Sequence, residues 1–209
     1  DKLEHIHNGI NLDGFEPSAL PDDPPVLGYF ARMCPEKGLD SLIDAFIRLK
    51  QTGQVPGLKL AVGGGCQPCD EAFVGEQKQR LRAAGLLGDA DFLPNLDRDA
   101  KLAFYRGLTA LSVPAMFGEA FGLYVVEAMA SGVPVVAPND ASFPEMIEQN
   151  QAGVICEEGS AALADAIGRL LLDRERLAKY ATSGRQAAVQ RFNIERMAES
   201  FVTRLAKLR

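Results

Sequence analysis

The sequence predicts an α/β fold: a Rossmann-like parallel sheet with helices on both faces, followed by a C-terminal helical tail. The first observation is order. From Val26 onward, short apolar runs alternate with segments of helical period, the pattern of a parallel sheet covered on both faces. The second is composition. The chain has 209 residues, 47% hydrophobic and 24% charged, as an ordinary globular domain has, and enough length for a sizeable core. The third is the lack of any internal repeat or low-complexity segment, which sets solenoids and disordered tails aside.

Residues 1 to about 25 read as a linker, punctuated by Asn8-Gly9, Gly14, Pro17, Pro21, Pro24 and Pro25; residues 26–209 form the domain. Val26–Ala31 is a short apolar strand. Gly38–Lys50 is an amphipathic helix through Leu39, Leu42, Ile43, Phe46 and Leu49. Leu58–Val62 is a buried strand stopped by Gly63-Gly64-Gly65, and a polar helix follows over Asp70–Ala84. Asp91–Leu93 is a strand, and Asp97 N-caps a helix to Arg106. Thr109–Val113 is a strand, Gly122–Ser131 an unusually apolar helix, and Val133–Ala137 a buried strand. Phe143–Gln149 is a helix and Gly153–Ile155 a strand. Ser160–Leu172 is amphipathic through Leu163, Ile167, Leu170 and Leu171. One or two helices close the chain, the last carrying Ile194, Met197, Phe201, Leu205 and Leu208.

Charge and cysteine usage narrow the function classes. Lys plus Arg is 22 against 28 Asp plus Glu, a net charge of -6. An acidic chain lacks the basic face that nucleic acid requires, although a few local cations suffice for a small anion. No apolar run is long enough to span a bilayer. The N-terminus is no signal peptide, and its lack of Met predicts a piece cut from a longer protein. Cys66-Gln-Pro-Cys69 has metal-pair spacing, but no second Cys/His pair follows, and His5 and His7 stand at the N-terminus. The ligand count therefore disfavours a structural zinc. Four reduced thiols, in a chain expected to be cytoplasmic, are the simpler expectation.

In a parallel sheet, ligands bind at the carboxyl ends of the strands, so the loops there hold the candidates. The first, Ala31–Gly38, contains two cations, Arg32 and Lys37, at the start of a helix. Helix N-termini attract anions. Either an anion sits between the two cations, or they are solvated charges with Lys37 paired to Glu36. The second loop, Val62–Cys66, offers Gly63 and Gly64 for close backbone approach. It fits neither the dinucleotide fingerprint, whose last glycine falls on Pro68, nor the phosphate loop, because Gly38 follows Lys37.

The third loop, Pro114–Leu123, leads into the helix Tyr124–Ala130. Glu127 is the lone charge between Phe121 and Ala130. A helix apolar all round is buried, and a buried carboxylate without partners costs several kcal/mol. Its donors must come from Ser131, the Tyr124 hydroxyl, backbone N–H groups or a ligand's hydroxyls. Glu119, in the loop before this helix, either caps it or faces whatever docks there. In the fourth loop, Pro138–Glu145, Glu145 reads as a structural acid in a helix's first turn. Asp89-Ala90-Asp91 reads as a solvated turn. A serine hydrolase is disfavoured because Met129, not glycine, stands two before Ser131.

Together these segments resemble the C-terminal donor domain of retaining glycosyltransferases of the GT-B fold (family 4, group 1) over the whole chain. The resemblance rests on Asn8-Gly9-Ile10-Asn11-Leu12 with Phe15 and Pro17, similar to the family's crossover segment. It rests further on Arg32-x4-Lys37-Gly38, Glu119-Ala-Phe-Gly-Leu-Tyr-Val-Val-Glu127 and Ala128–Ala137. It implies that Arg32 and Lys37 bind the donor's diphosphate and that Glu119 contacts the sugar near the reacting carbon. Glu127 would accept hydrogen bonds from the ribose. Phe121, Gly122 and Leu123 would offer backbone N–H groups to sugar and phosphates, the backbone at Asn95 and Leu96 would hold the base, and Gly63 and Gly64 would line the cleft. It implies a nucleotide-diphosphate sugar as donor substrate, no cofactor, and no metal.

The chain departs from the pattern at Ala141-Ser142, where the family often has two glycines. The resemblance also implies an acceptor-binding N-terminal domain, expected to be missing from this chain, through which any membrane contact would run. The fragment is therefore expected to bind donor weakly and catalyse nothing by itself. A sugar-nucleotide epimerase of the same fold and a non-catalytic nucleotide-sugar-binding module are the alternatives.

Overall fold

The computed structural model describes residues 5–17, 24–115 and 119–206. Along the chain lie β1 (Val26–Phe30), α1 (Leu39–Thr52), β2 (Lys59–Gly64), α2 (Glu71–Ala83), β3 (Ala90–Pro94), α3 (Arg98–Arg106) and β4 (Ala110–Ser112). Then come α4 (Leu123–Ala130), β5 (Val135–Pro138), β6 (Gly153–Cys156), α5 (Ser160–Leu171), α6 (Arg174–Arg191) and α7 (Ile194–Ala206). Among the described residues the strands form one sheet in the order β3-β2-β1-β4-β5-β6, and every pair is parallel. α1 packs on α2 and α5, and α4 on α6. The Rossmann-like sheet expected from the alternation of elements is thus present. The order reverses at β1, whose Leu27 and Gly28 pair with β4 on one edge and with β2 on the other. The crevice between the carboxyl ends of β1 and β4 is therefore the topological switch point.

The central strands are buried along their length, β4 as Ala110–Ser112 and β5 as Val135–Pro138. The edge strand β3 is half exposed. Continuous apolar runs in the middle of the sheet follow from burial on both faces. α1 turns Leu39, Leu42, Ile43, Phe46 and Leu49 inward, the stripe read from its period. Asp97 caps α3, accepting a bond from the Ala100 amide at 2.8 Å.

Three expectations are revised. β2 runs on into the glycine stop, because Gly63 and Gly64 pair with Leu93 and Pro94 of β3. The helix expected over Phe143–Gln149 is a π-turn, Pro144–Glu148. There the Asn150 amide donates to the carbonyls of Glu145 and Met146, and the Gln149 N–H reaches back to Pro144 at 3.3 Å, which widens the turn. Asp89 is not a solvated turn acid: its carboxylate takes Lys50 at 2.7 Å and Lys59 at 2.6 Å, and these two bonds hold its pKa below the usual range.

The N-terminal segment is docked on the domain. Ile10 bridges to Asn193, the Ile10 N–H donating to Phe192 at 2.9 Å and its carbonyl accepting from Ile194 at 3.1 Å. Phe15 is buried in the core. Pro21 of the linker, Met116–Gly118 of the third strand-end loop and Leu208 of the tail lie outside the described residues.

Candidate functional site

Two close approaches assemble the crevice. Gly38, between the first loop and α1, has φ 69, and a Cβ there would fall 1.9 Å from the Pro114 carbonyl oxygen. Only glycine lets the loop after β1 lie against the loop after β4. Gly64 has φ 119, and its Cβ would fall 2.0 Å from the Ala31 carbonyl oxygen. With the Met33 N–H bonded to Gly65 at 2.8 Å, the first and second loops share one wall.

Lys37 and Glu119, predicted on separate grounds, meet across the crevice. Lys37 Nζ is 2.7 Å from Glu119 Oε2, and the Tyr124 hydroxyl donates to the same oxygen at 2.9 Å. Lys37 therefore pairs with Glu119 and not with Glu36. Burial pushes the Glu119 pKa up. The bonds from Lys37 and Tyr124, the charge of Lys37 and the Phe121 amide outweigh that push and hold the carboxyl below the usual range. Tyr124 is raised, first by burial and then by the neighbouring Glu119, so its hydroxyl stays a donor.

Arg32 leans the other way. Its Nε and Nη2 grip Asp70 at 3.0 and 2.9 Å, a two-pronged contact with a buried acid. Asp70 also accepts the Gln67 amide at 2.9 Å. The Arg32 bond, followed by the Gln67 amide, lowers the Asp70 pKa. The Tyr29 hydroxyl donates to the Arg32 carbonyl at 2.8 Å, fixing the backbone from which the guanidinium extends. Half of the Arg32 side chain remains exposed, at 49%, so the cation is positioned yet open to a ligand.

Glu127 lies within α4, its side chain 14% exposed. Its partners correct the expectation. Lys101 Nζ is 2.6 Å from Oε1, and the Tyr105 hydroxyl donates to Oε2 at 2.9 Å, both from α3. Ser131 instead bonds the Glu127 backbone carbonyl, and the Tyr124 hydroxyl is taken by Glu119. Lys101 and Tyr105 are one helical turn apart, so they share a face. That i,i+4 pairing was the available signal, but nothing in α3 alone says which acid it meets. Asp70 was missed for the same reason.

The remaining predicted residues surround this centre. Gly122 precedes α4 with φ 74 and no side-chain cap; the Val125 N–H bonds the Gly122 carbonyl at 2.8 Å, and the N–H groups of Leu123 and Tyr124 before it lie ahead of the first helical bonds. Phe121 and Leu123 flank it, the first partly buried and the second exposed. Gly63 is buried against Phe30 and Phe104. Asn95 has φ 55, and its side chain is fully engaged with Cys66, accepting from its N–H and donating to its carbonyl, both at 3.0 Å. Asn95 thus ties the end of β3 to the glycine loop. Leu96 packs against the core edge. A cavity of about 290 Å³ lies beside Met33, Phe92 and Asn95, and one of about 280 Å³ lies beyond β4 and β5, lined by Ser41, Pro114, Asp140 and Glu158. Glu145 meets His7, Oε1 to Nε2 at 3.7 Å. Burial, and then the neighbouring His5, lower the His7 pKa.

All four cysteines are free thiols. Burial raises the Cys156 pKa to about 11. Among the described residues no helix is long and apolar enough to cross a membrane.

Comparison with known proteins agrees with this fold. The family model described as "Glycosyl transferases group 1" matches residues 13–187. A phosphatidyl-myo-inositol mannosyltransferase of Mycobacterium leprae is 32% identical over 194 residues, 90% of this chain and 49% of that protein. The sucrose-phosphate synthase of Thermosynechococcus elongatus superposes with TM-score 0.84 at 28% identity, over 97% of this chain and 52% of that one. HepE of Anabaena, crystallised with UDP and glucose, gives TM-score 0.83 at 25% identity, over 97% of this chain and 56% of its own. The chain thus spans about half the length of the relatives it matches.

Proposed function

This chain belongs to the group 1 glycosyl transferases, and from that membership and the switch-point geometry we propose that it is the donor-binding half of a sugar-transferring enzyme. The reaction moves a sugar from a nucleotide sugar to an acceptor, with retention at the anomeric carbon and without a catalytic metal. The observation that carries the proposal is the crevice itself: Lys37 2.7 Å from Glu119, half-exposed Arg32, and the uncapped start of α4. Departure of a nucleoside diphosphate concentrates negative charge, and two cations with a helix N-terminus aimed there stabilise it.

In this reading the diphosphate competes with Glu119 and Asp70 for Lys37 and Arg32. Glu119, once shared, contacts sugar hydroxyls near the reacting carbon. Each Glu127 oxygen has one partner, Lys101 or Tyr105, and keeps a second lone pair for the ribose hydroxyls. Phe121, Gly122 and Leu123 supply backbone N–H groups, Gly63 and Gly64 line the cleft, and the backbone at Asn95 and Leu96 holds the base. The acceptor is bound by a second domain, so this half alone does not turn over, and no cofactor enters. Free thiols suit a cytoplasmic location.

The test is transfer by the two-domain parent protein, followed by NMR of the product. The proposal expects the anomeric configuration of the donor to be kept and the rate to survive a chelator. Lys37→Ala should lower kcat by roughly 10²–10³, as loss of one charge-stabilising group does. Inverted product, or a rate abolished by chelation, contradicts it.

A further inference from the structure

His5 and His7 stand beside Glu145. The two imidazole rings meet edge to face with centroids 4.4 Å apart, and Glu145 Oε1 lies 3.7 Å from His7 Nε2. One ligand atom from each of the three residues lies within 4.8 Å of the other two. Two imidazoles and a carboxylate are a donor set that zinc takes, with a fourth position left for water. Tetrahedral bonds of about 2.0–2.1 Å place ligand atoms roughly 3.3 Å apart. Closure from the observed spacing is therefore a matter of about 1.5 Å or less, within rotamer adjustment of the exposed His5 and Glu145.

His7 is the fixed member. Its ring packs edge to face on Phe192 at 5.4 Å and lies 6.5 Å from Phe121. The segment behind it is anchored by the Ile10 bridge to Asn193 and by the Gly9 N–H on Met197 Sδ at 3.3 Å. Glu145 stands in the π-turn, whose width is held by the Asn150 amide. Arg191, a cation whose charge is felt at His7, is engaged elsewhere: its Nη1 bonds Asn150 Oδ1 at 2.7 Å and its guanidinium lies over Phe192.

We infer that His5, His7 and Glu145 form a binding site for a divalent transition-metal ion, with zinc as the fitting ion, that ties the N-terminal segment to the π-turn beside the crevice. The ion holds two segments together and takes no part in sugar transfer, so the inference stands or falls separately from the proposed function.

The probes are Zn²⁺, measured by equilibrium dialysis, and Co²⁺, measured by visible absorption, on the tag-free chain. One equivalent binds, with Co²⁺ ligand-field bands and no thiolate charge-transfer band. His5→Ala changes an exposed side chain and so leaves the fold intact. It weakens binding by about a hundredfold or more, at least the upper end of what loss of a mere outer partner does. Glu145→Ala does the same, and Cys66→Ser with Cys69→Ser leaves binding unchanged. Zinc raises the Tm of the wild type and not that of His5→Ala. Absence of uptake, equal uptake in His5→Ala and Glu145→Ala, or uptake lost in the double-serine variant each overturns the inference.

Discussion

Glu127 and its α3 partners hold two duties in one contact. Tyr105 is wholly buried, and its hydroxyl donates to Glu127 Oε2 at 2.9 Å, while Lys101 supplies the charge on the other oxygen. Tyr105→Phe keeps the shape and deletes the donor. A hydrogen bond to a charged group contributes about 1.5–3 kcal/mol, so urea unfolding should show a stability loss of that size with the m-value unchanged. Equal stability would mean that Tyr105 does not satisfy the carboxylate. The need for such donors was legible in the sequence, because Glu127 is the lone charge in an apolar helix. Their identity was not. Lys101 and Tyr105 lie a strand and a loop away, and only the fold brings them to Glu127. Arg32 and Lys37 were legible as cations at a helix start, but their acidic partners Asp70 and Glu119 come from other loops.

Elements were read well where period and caps speak together. α1 and α5 bury the faces their apolar spacing gives, and Asp97 caps α3 as placed. Boundaries shifted where tertiary pairing decides them: β2 runs into its glycines because β3 offers partners to Gly63 and Gly64. The π-turn at Pro144–Glu148 was hidden because its apolar spacing reads as an ordinary helix, while its closing bond runs from Gln149 back five residues to Pro144 beside the Asn150 side-chain bonds.

Two glycines separate necessity from tolerance. At Gly64 a methyl would strike the Ala31 carbonyl at 2.0 Å with φ 119, whereas at Gly75 in α2 nothing lies within 4 Å. Gly64→Ala should destabilise by about 2–4 kcal/mol through clash and backbone strain. Gly75→Ala should stabilise by roughly 0.5–1 kcal/mol, because alanine has less entropy to lose. Thermal melts of the two variants check both signs.

At the scale of the whole molecule, the sheet order β3-β2-β1-β4-β5-β6 does what no single loop could. It brings the carboxyl ends of β1 and β4 together, so cations from one and carboxylates from the other share a crevice. The alternation of strands and helices announced a parallel sheet, and that sheet is present. The docking of the N-terminal segment on Phe192 and Asn193 was not legible, because its proline- and glycine-rich composition speaks of irregular backbone and says nothing of what that backbone rests on. About half the length of the matched relatives is spanned by this chain, which is why donor binding, and not turnover, is the property to test in it.

The most direct measurement is calorimetric titration of this chain with UDP, GDP and ADP, alongside Lys37→Ala and Glu127→Gln variants confirmed to be folded. The account predicts that one nucleoside diphosphate binds in preference to the other two and that each substitution weakens it at least about tenfold, the loss of some 1.4 kcal/mol. On the proposed reading Lys37→Ala removes a phosphate contact and Glu127→Gln a ribose contact, so both must matter if the crevice holds the whole nucleotide. Binding that persists unchanged in both variants, or no binding by any of the three nucleotides to the chain or to its two-domain parent, would contradict the assignment of the switch-point crevice as a donor site.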